Sequence, residues 1–155
     1  FAQNAMLHLP IVRKIIYTLS IRRFATTLSS LLRAGVPILE ALRITAETVG
    51  HPGVSTSLLR IANDGVAKGL TLGDAFRKET IFPFVVTNLV AISEKAGHLD
   101  EILQTLGQFY DTEVEASIKN AVAFLEPAML LFIGVIIGTI ALAIIIPVYQ
   151  LVGQL

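Results

Sequence analysis

Cysteine is absent from the sequence of 155 residues. Disulfide bonds, thiol catalysis and cysteine-ligated metals are therefore excluded within this chain. Tryptophan is absent as well, which leaves Tyr149 as the aromatic residue placed to mark a membrane interface near the C-terminus. Hydrophobic residues nevertheless make up 54% of the sequence, a high share for a soluble domain.

Motifs for catalysis and nucleotide binding are missing too. The histidines His8, His51 and His98 lie more than 40 residues apart and form neither an HxxxH nor an HExxH pattern, so we expect no metal site. No GxSxG or SxxK segment frames a nucleophile, and no P-loop or GxGxxG segment is present. The sequence therefore predicts a protein that is not an enzyme and that holds no cofactor.

Charge is balanced over the whole chain but not along it. Residues 1–78 contain ten Lys or Arg and four Asp or Glu, whereas residues 79–155 contain two and eight. The basic residues are spread over several helical segments without interleaved aromatic residues, so nucleic-acid binding is not expected. A solvated face, or a face that meets an acidic protein partner or anionic lipid headgroups, fits better, and Arg22 and Arg33 are the candidate residues for such a contact.

A long apolar run follows Glu126, and no charged residue occurs from Pro127 to the C-terminus. Its densest part, residues 128–149, would form roughly 33 Å of helix, enough to cross a hydrocarbon core of about 30 Å. A buried core helix is the alternative, but 155 residues leave too few to enclose one. We therefore predict a transmembrane helix over residues 126–152. Because all Lys and Arg precede the run, the preceding domain is expected in the cytoplasm and the short tail at 153–155 outside.

Helical periodicity dominates the rest of the sequence. We expect an all-α fold, an antiparallel bundle of about six helices whose last helix runs into the C-terminal transmembrane helix. Residues 1–10 are expected to be the end of a preceding element, and residues 11–125 to form the bundle. Since the sequence begins at Phe1 rather than Met, we expect it to be part of a longer protein. Helices are predicted over residues 11–34, 37–49, 54–67, 71–79, 83–96 and 100–125.

Local signals support these boundaries. Gly35 and Gly97 stand where a helix ends in a left-handed residue, and Pro37 suits the first turn of the helix that follows. Thr71 is placed to cap the short helix after it. The helix over 83–96 is apolar nearly all round, so we expect it at the centre of the domain.

Two acidic residues stand in unusual positions. Glu94 lies near the end of an apolar helix, where the helix dipole disfavours an acid, so either a pairing with Lys95 or an arginine or a contact with another protein is expected. Glu126 lies at the start of the apolar run, where it either caps the membrane helix at the interface or contacts a partner. The next residue, Pro127, removes one backbone hydrogen bond and is a candidate hinge.

Several short segments carry a resemblance to a known family. They are Phe24 with residues 28–32, AGVPILEAL at 34–42, GLTL at 69–72, Ala75-Phe76, Phe82-Pro83, EKAGHL at 94–99, YDTE at 110–113 and LEP at 125–127. In this order and spacing, over about residues 23–152, they resemble the inner-membrane platform proteins of type II secretion systems and type IV pili. The sequence departs from the family at Ser93, where glycine is usual, and at His98, where asparagine is common.

The resemblance implies a non-enzymatic platform in the bacterial inner membrane. Family members carry two cytoplasmic helical domains and three transmembrane helices, and this chain corresponds to the second domain and the third membrane helix of a multi-pass protein. The implied partners are a cytoplasmic ATPase, the transmembrane helices of pilin or pseudopilin subunits, other inner-membrane assembly proteins and further copies of the same protein.

Two other function classes remain open on the residues alone. A fragment of a multi-span transporter or channel would need polar groups within the membrane helix, where the run offers Thr139 besides Gly134 and Gly138. Those glycines have the GxxxG spacing, which permits close packing against another helix. A membrane-bound enzyme is disfavoured by the missing motifs.

Overall fold

Helices form wherever apolar residues recur every three or four positions in the part of the chain that the structure describes. A computed structural model describes residues 10–152, and the expectations for residues 1–9 and 153–155 lie outside the described residues. Residues 10–152 contain no strand, so the predicted all-α fold is confirmed. The α-helices are α1 (Pro10–Arg33), α2 (Ile38–Thr48), α3 (Pro52–Arg60), α4 (Leu72–Arg77), α5 (Phe84–Ala96) and α6 (Leu99–Val152).

The chain divides into two compact units, Phe1–Ala116 and Ser117–Leu155. Within the first unit, here called the bundle, α1 packs on α2, α2 on α3, and α4 on α5. Tight turns join these helices, so successive helices are brought back against one another.

The apolar faces read from the sequence form the bundle core. Phe24 of α1 packs against Phe76 of α4 and against Phe82, with ring centroids 4.8 to 5.5 Å apart within this trio. The other fully buried large side chains include Ile21, Leu28, Leu42, Val49, Val54, Leu58, Ile61, Val86, Val90 and Leu103. Burial of such side chains is the main source of stability in a domain of this size.

The predicted helix over residues 54–67 forms, but its second half departs from regular α-helix geometry. The α-helix ends at Arg60, a π-helical turn occupies Ile61–Gly65, and a 3₁₀ turn follows over Val66–Lys68. At Gly65, a Cβ atom would stand 2.6 Å from the Cβ of Ala75. The segment therefore lies close against α4 at the place where its backbone leaves regular α-helix geometry.

Helix α5 is not surrounded by the bundle, which contradicts the expectation that it lies at the centre. Val86 and Val90 are fully buried, but Phe84 is 79% exposed, Val85 51% and Ile92 65%. The helix packs on α4 along one face, where Gly73 approaches Ala91. Its other face is left apolar and open.

Helix α6 has 54 residues and continues through Pro127 and Pro147. In the bundle it buries Leu103, Leu106, Tyr110 and Val114, as its predicted stripe requires. In the second unit the same stripe is open, with Ile118 47% and Leu125 57% exposed. Its most apolar window has a mean hydropathy of 3.0 and no buried residue, so α6 is long and apolar enough to cross a membrane.

Candidate functional site

Three separate segments of the chain meet at one end of the bundle. They are the α1–α2 turn, the residues just before α4, and the junction between α5 and α6. Together they line a pocket of about 580 Å³, here called the end pocket. Its lining includes Leu32, Ile38, Leu70, Leu72, Glu94 and Leu99. The segments quoted above for the family resemblance, AGVPILEAL, GLTL and EKAGHL, all reach this pocket.

Each of these segments contains a glycine in the left-handed region of backbone conformation. Gly35, Gly69 and Gly97 have φ values of 81°, 90° and 76°. In each case the backbone amide of the residue after the glycine donates a hydrogen bond to the backbone oxygen of the residue five positions before it, with N to O distances of 3.0 to 3.1 Å. The sequence predicted this ending at Gly35 and Gly97 and missed Gly69, although Lys68 before it is a usual residue for a last helical turn.

Glu94 joins two helices at the wall of the end pocket. Its carboxylate accepts hydrogen bonds from the backbone amides of Leu72 at 2.7 Å and Gly73 at 2.9 Å. Thr71 completes the cap as predicted, since its hydroxyl accepts from the amide of Asp74 at 3.1 Å. These bonds pair donors that the first turn of α4 cannot satisfy by itself.

Neither interpretation offered for Glu94 from the sequence included this arrangement. Within residues 10–152, the structure places no Lys or Arg at ion-pair distance from its carboxylate. The close approach at Gly73 brings the start of α4 within reach, because a side chain there would meet Ala91. The only sequence signal for this contact is a glycine in the first turn of a short helix.

Arg22 and Arg33 line a groove of about 300 Å³ between α1 and the first part of α6. Arg22 pairs with Asp111 at 3.2 Å, and Arg33 lies 3.6 Å from Asp100. Arg33 also donates to the side-chain oxygen of Gln104. All these side chains remain partly exposed, so the pairs contribute little to stability but set the local charge pattern.

The floor of this groove is a close contact between helices. Ser29 is 4% exposed and donates its hydroxyl to the backbone oxygen of Asp100 at 2.8 Å. Gly107 lies over Thr26, whose methyl carbon would be 2.7 Å from a Cβ atom placed at that glycine. The polar residues of α1 that line this groove therefore face α6 rather than water alone. They are Arg22, Thr26, Ser29, Ser30 and Arg33.

A third ion pair links the two oppositely charged halves of the sequence. Arg60 binds Glu79 through two bonds, Nε to Oε1 at 3.0 Å and Nη2 to Oε2 at 2.6 Å. The hydrogen bond from Arg60 lowers the pKa of the Glu79 carboxyl, against the raising effect of its burial and with a further contribution from Ser57. The same bond raises the pKa of the Arg60 guanidinium.

The second unit holds the remaining candidate residues. Glu126 is exposed and precedes Pro127 inside the helix. A Cβ atom added at Gly134 or Gly138 would meet nothing within 4 Å. Thr139 donates its hydroxyl to the backbone oxygen of Val135 at 2.7 Å, a bond within its own helix. The hydroxyl proton of Thr139 is therefore already paired within α6.

Residues 24–147 match the family described as type II secretion system (T2SS), protein F. The chain belongs to the T2SS protein F family. The matched residues include the bundle from Phe24 onward, with all three segments of the end pocket, and the apolar part of α6. The family resemblance read from the sequence is thereby confirmed.

Relatives of the T2SS protein F family come from both secretion and pilus systems. A type IV pilus assembly protein PilC of Thermus thermophilus is 34% identical over 150 residues, which are 96% of this chain and 37% of the relative. The type II secretion system protein F of Pseudomonas aeruginosa is 32% identical, with 96% and 37% covered. PilC of Myxococcus xanthus is 28% identical over the full chain and 37% of its own length. The chain thus spans a little over a third of these T2SS protein F relatives.

Proposed function

We propose that this chain supplies a cytoplasmic helical domain, residues 11–125, and a membrane helix, residues 126–152, to a non-enzymatic platform for a type IV pilus or a type II secretion pseudopilus. One observation carries the proposal. The family match extends from Phe24 in the bundle to Pro147 in the apolar part of α6, so both units belong to it. The location proposed is the bacterial inner membrane, with the C-terminus on the outer side and further spans elsewhere in the full-length protein.

The proposed work of the platform is to connect a cytoplasmic ATPase to pilin or pseudopilin subunits in the membrane. The end pocket is the proposed contact for a cytoplasmic assembly protein, because three segments of the chain expose partly buried apolar side chains around it. Such a site suits a single apolar side chain of a partner placed among polar rim residues.

The main experiment tests copurification of the full-length protein with a secretion or pilus ATPase from the same organism. A Leu70→Ser variant removes apolar surface at the end pocket, and Leu59→Ser, the same substitution at a site 39% exposed on α3, is the control. We expect Leu70→Ser to reduce copurification and pilus or secretion output by about tenfold, as the loss of a well-packed anchor does. Normal output after deletion of the whole gene would contradict the platform role itself.

Arg22 and Arg33 remain proposed contacts for an acidic partner surface or anionic headgroups. Because Arg22 pairs with Asp111, a single charge reversal would also break an internal pair. The exchange of Arg22→Glu with Asp111→Arg keeps a pair and alters the outer charge pattern. Weaker association of the exchanged chain with the partner ATPase or with anionic membranes at low salt supports the contact, and unchanged association excludes it.

The second unit is the proposed contact for membrane partners. Glu126 and Pro127 are proposed to set the geometry by which pilin subunits meet the platform, and Gly134 and Gly138 to pack on another helix, in the same protein or a second copy. Glu126→Gln should lower pilus or secretion output while the amount of folded protein stays constant. Replacement of both glycines by leucine should change the crosslinking pattern, and an unaltered pattern would exclude the helix contact.

A further inference from the structure

The open face of α5 forms a groove with the first part of α6. Its volume is about 310 Å³, and its lining is apolar except for Thr105. The apolar lining residues are Val85, Leu89, Ile102, Leu106 and Phe109. We call it the α5–α6 groove. It lies wholly within the bundle and shares no lining residue with the end pocket.

The apolar side chains around this groove are open to solvent. Val85 is 51% exposed and Phe109 54%. Ile92 continues the α5 row of Val85 and Leu89 by about one turn and is 65% exposed. A contiguous apolar patch of this kind marks a surface that another molecule covers.

The charges beside the groove are acidic. On α6, Glu101 precedes Thr105 by one helical turn and Glu113 follows Phe109 by one turn, and both are exposed. The one cation of α5 is Lys95, which lines a different pocket together with Thr71, Asp74 and Arg77. His98 stands 4.0 Å from Glu101 and would reduce the negative charge there only when protonated.

We propose that the α5–α6 groove binds a basic amphipathic helix of a partner protein. The apolar face of that helix fills the groove, and its Lys or Arg residues meet Glu101 and Glu113. These acids are separated by roughly 18 Å along the axis of α6, so the basic positions of the partner lie about three turns apart. A helix is the element that fits a groove between two helices by its apolar face.

The acidic rim argues against two other occupants. In a twofold dimer across this face, Glu101 and Glu113 of one copy would face the same acids of the other, which like-charge repulsion disfavours. Anionic lipid headgroups would meet the same repulsion. The inference rests on the surface of the bundle and does not depend on the proposed platform role.

The test measures peptide binding to the full chain in nanodiscs of zwitterionic lipid, with empty nanodiscs as the blank. The probes are two labelled amphipathic peptides of about 14 residues, one of Leu and Lys and one of Leu and Glu in the same pattern. By fluorescence anisotropy we expect the lysine peptide to bind at least about tenfold more tightly than the glutamate peptide at low salt, and to weaken as salt screens the rim.

Two pairs of variants assign the binding to the groove. Val85→Ser with Phe109→Ser should weaken lysine-peptide binding by about tenfold, whereas the control Leu59→Ser should not. Glu101→Gln with Glu113→Gln should weaken it by about fivefold at low salt, whereas Glu47→Gln on α2 should leave it unchanged. All of these side chains are exposed, so circular dichroism should show an unaltered fold.

Three results would overturn the proposal. The first is equal binding of the two peptides, and the second is lysine-peptide binding that survives both groove variants. The third is self-association of the chain that is abolished by Val85→Ser with Phe109→Ser and that the lysine peptide does not compete against. The last result would assign the groove to a second copy of the chain.

Discussion

Glu94 shows how an acid is accommodated near the end of a helix, where the dipole of its own helix disfavours it. Its carboxylate lies at the start of α4 and accepts the amides of Leu72 and Gly73. A helix N-terminus favours a negative charge, so the contact offsets the unfavourable position in α5. The sequence could show that Glu94 needed a partner but not which one, because the partner is a pair of backbone groups more than 20 residues earlier.

The first prediction concerns this bond. Glu94→Gln keeps the shape of the side chain but replaces one accepting oxygen with a donor, which leaves an amide of Leu72 or Gly73 unpaired. We expect the free energy of unfolding to fall by about 1–3 kcal/mol. Chemical denaturation of the full chain in detergent, followed by circular dichroism, measures the change. Glu47→Gln on an exposed face of α2 is the control, and equal stability of the two variants would refute the role of Glu94.

The second prediction concerns the pH dependence of the pair between Arg60 and Glu79. Because the pKa of Glu79 is lowered in the folded bundle from its ordinary value of 4.5, its contribution to stability is present above that value. The contribution is lost as the pH falls through the lowered folded pKa, where the carboxylate becomes protonated.

Glu79→Gln removes this contribution at every pH. The thermal midpoint of the parent chain should therefore exceed that of Glu79→Gln at neutral pH, and the difference should shrink once the pH drops below 4.5. Glu113→Gln, which alters an exposed acid on α6, serves as the comparison. A difference that grew on acidification would have the wrong sign for this pair.

For the secondary-structure elements, the sequence predicted which helices exist better than it predicted which residues surround each helix. The helix ends at Gly35 and Gly97 and the cap at Thr71 follow from local chemistry, and the structure has them. The interruption over Ile61–Lys68 was not predicted, and it lies where Ala75 of another helix approaches Gly65. Periodicity likewise shows that α5 can bury most of its surface, but which neighbours cover it is decided by tertiary packing.

The same distinction applies to the candidate site. The segments that meet at the end pocket were singled out in the sequence, yet their convergence depends on three turns and on the bond from Glu94. Arg22 and Arg33 were expected to serve a partner, and the structure pairs both with acids of α6. The sequence shows that both residues are basic, but it does not show which acids of the same chain lie beside them.

The third prediction tests the contact between α4 and α5. A Cβ atom at Gly73 would lie 2.6 Å from the Cβ and 2.8 Å from the Cα of Ala91. Gly73→Ala must therefore displace α4 and distort the hydrogen bonds from Leu72 and Gly73 to Glu94. We expect it to lower the free energy of unfolding by about 1–3 kcal/mol. Gly134→Ala adds the same methyl group where nothing stands within 4 Å, and the bundle should keep its stability. Similar unfolding curves for both variants would count against the close approach.

Over the whole molecule, ion pairs in the bundle cancel part of the division of charge along the sequence. Arginines of the basic half pair with acids of the acidic half, as Arg22 does with Asp111 and Arg60 with Glu79. The surfaces that keep one sign of charge are therefore more informative than the totals for each half. The acidic rim of the α5–α6 groove is such a surface, since the cation of α5 faces elsewhere.

The last prediction concerns orientation in the membrane. All Lys and Arg precede the apolar run, and the last of them is Lys119, so the bundle is expected to stay in the cytoplasm and the far end of α6 to reach the outer side. The chain contains no cysteine, so a single introduced cysteine is labelled without background. In intact cells that express this chain, a membrane-impermeant maleimide should label Gln150→Cys. It should label Ser30→Cys, on the exposed side of α1, only after the inner membrane is permeabilised. The reverse pattern would place the bundle outside and remove it from any contact with a cytoplasmic ATPase, whereas labelling of both positions in intact cells would show that α6 does not cross the membrane.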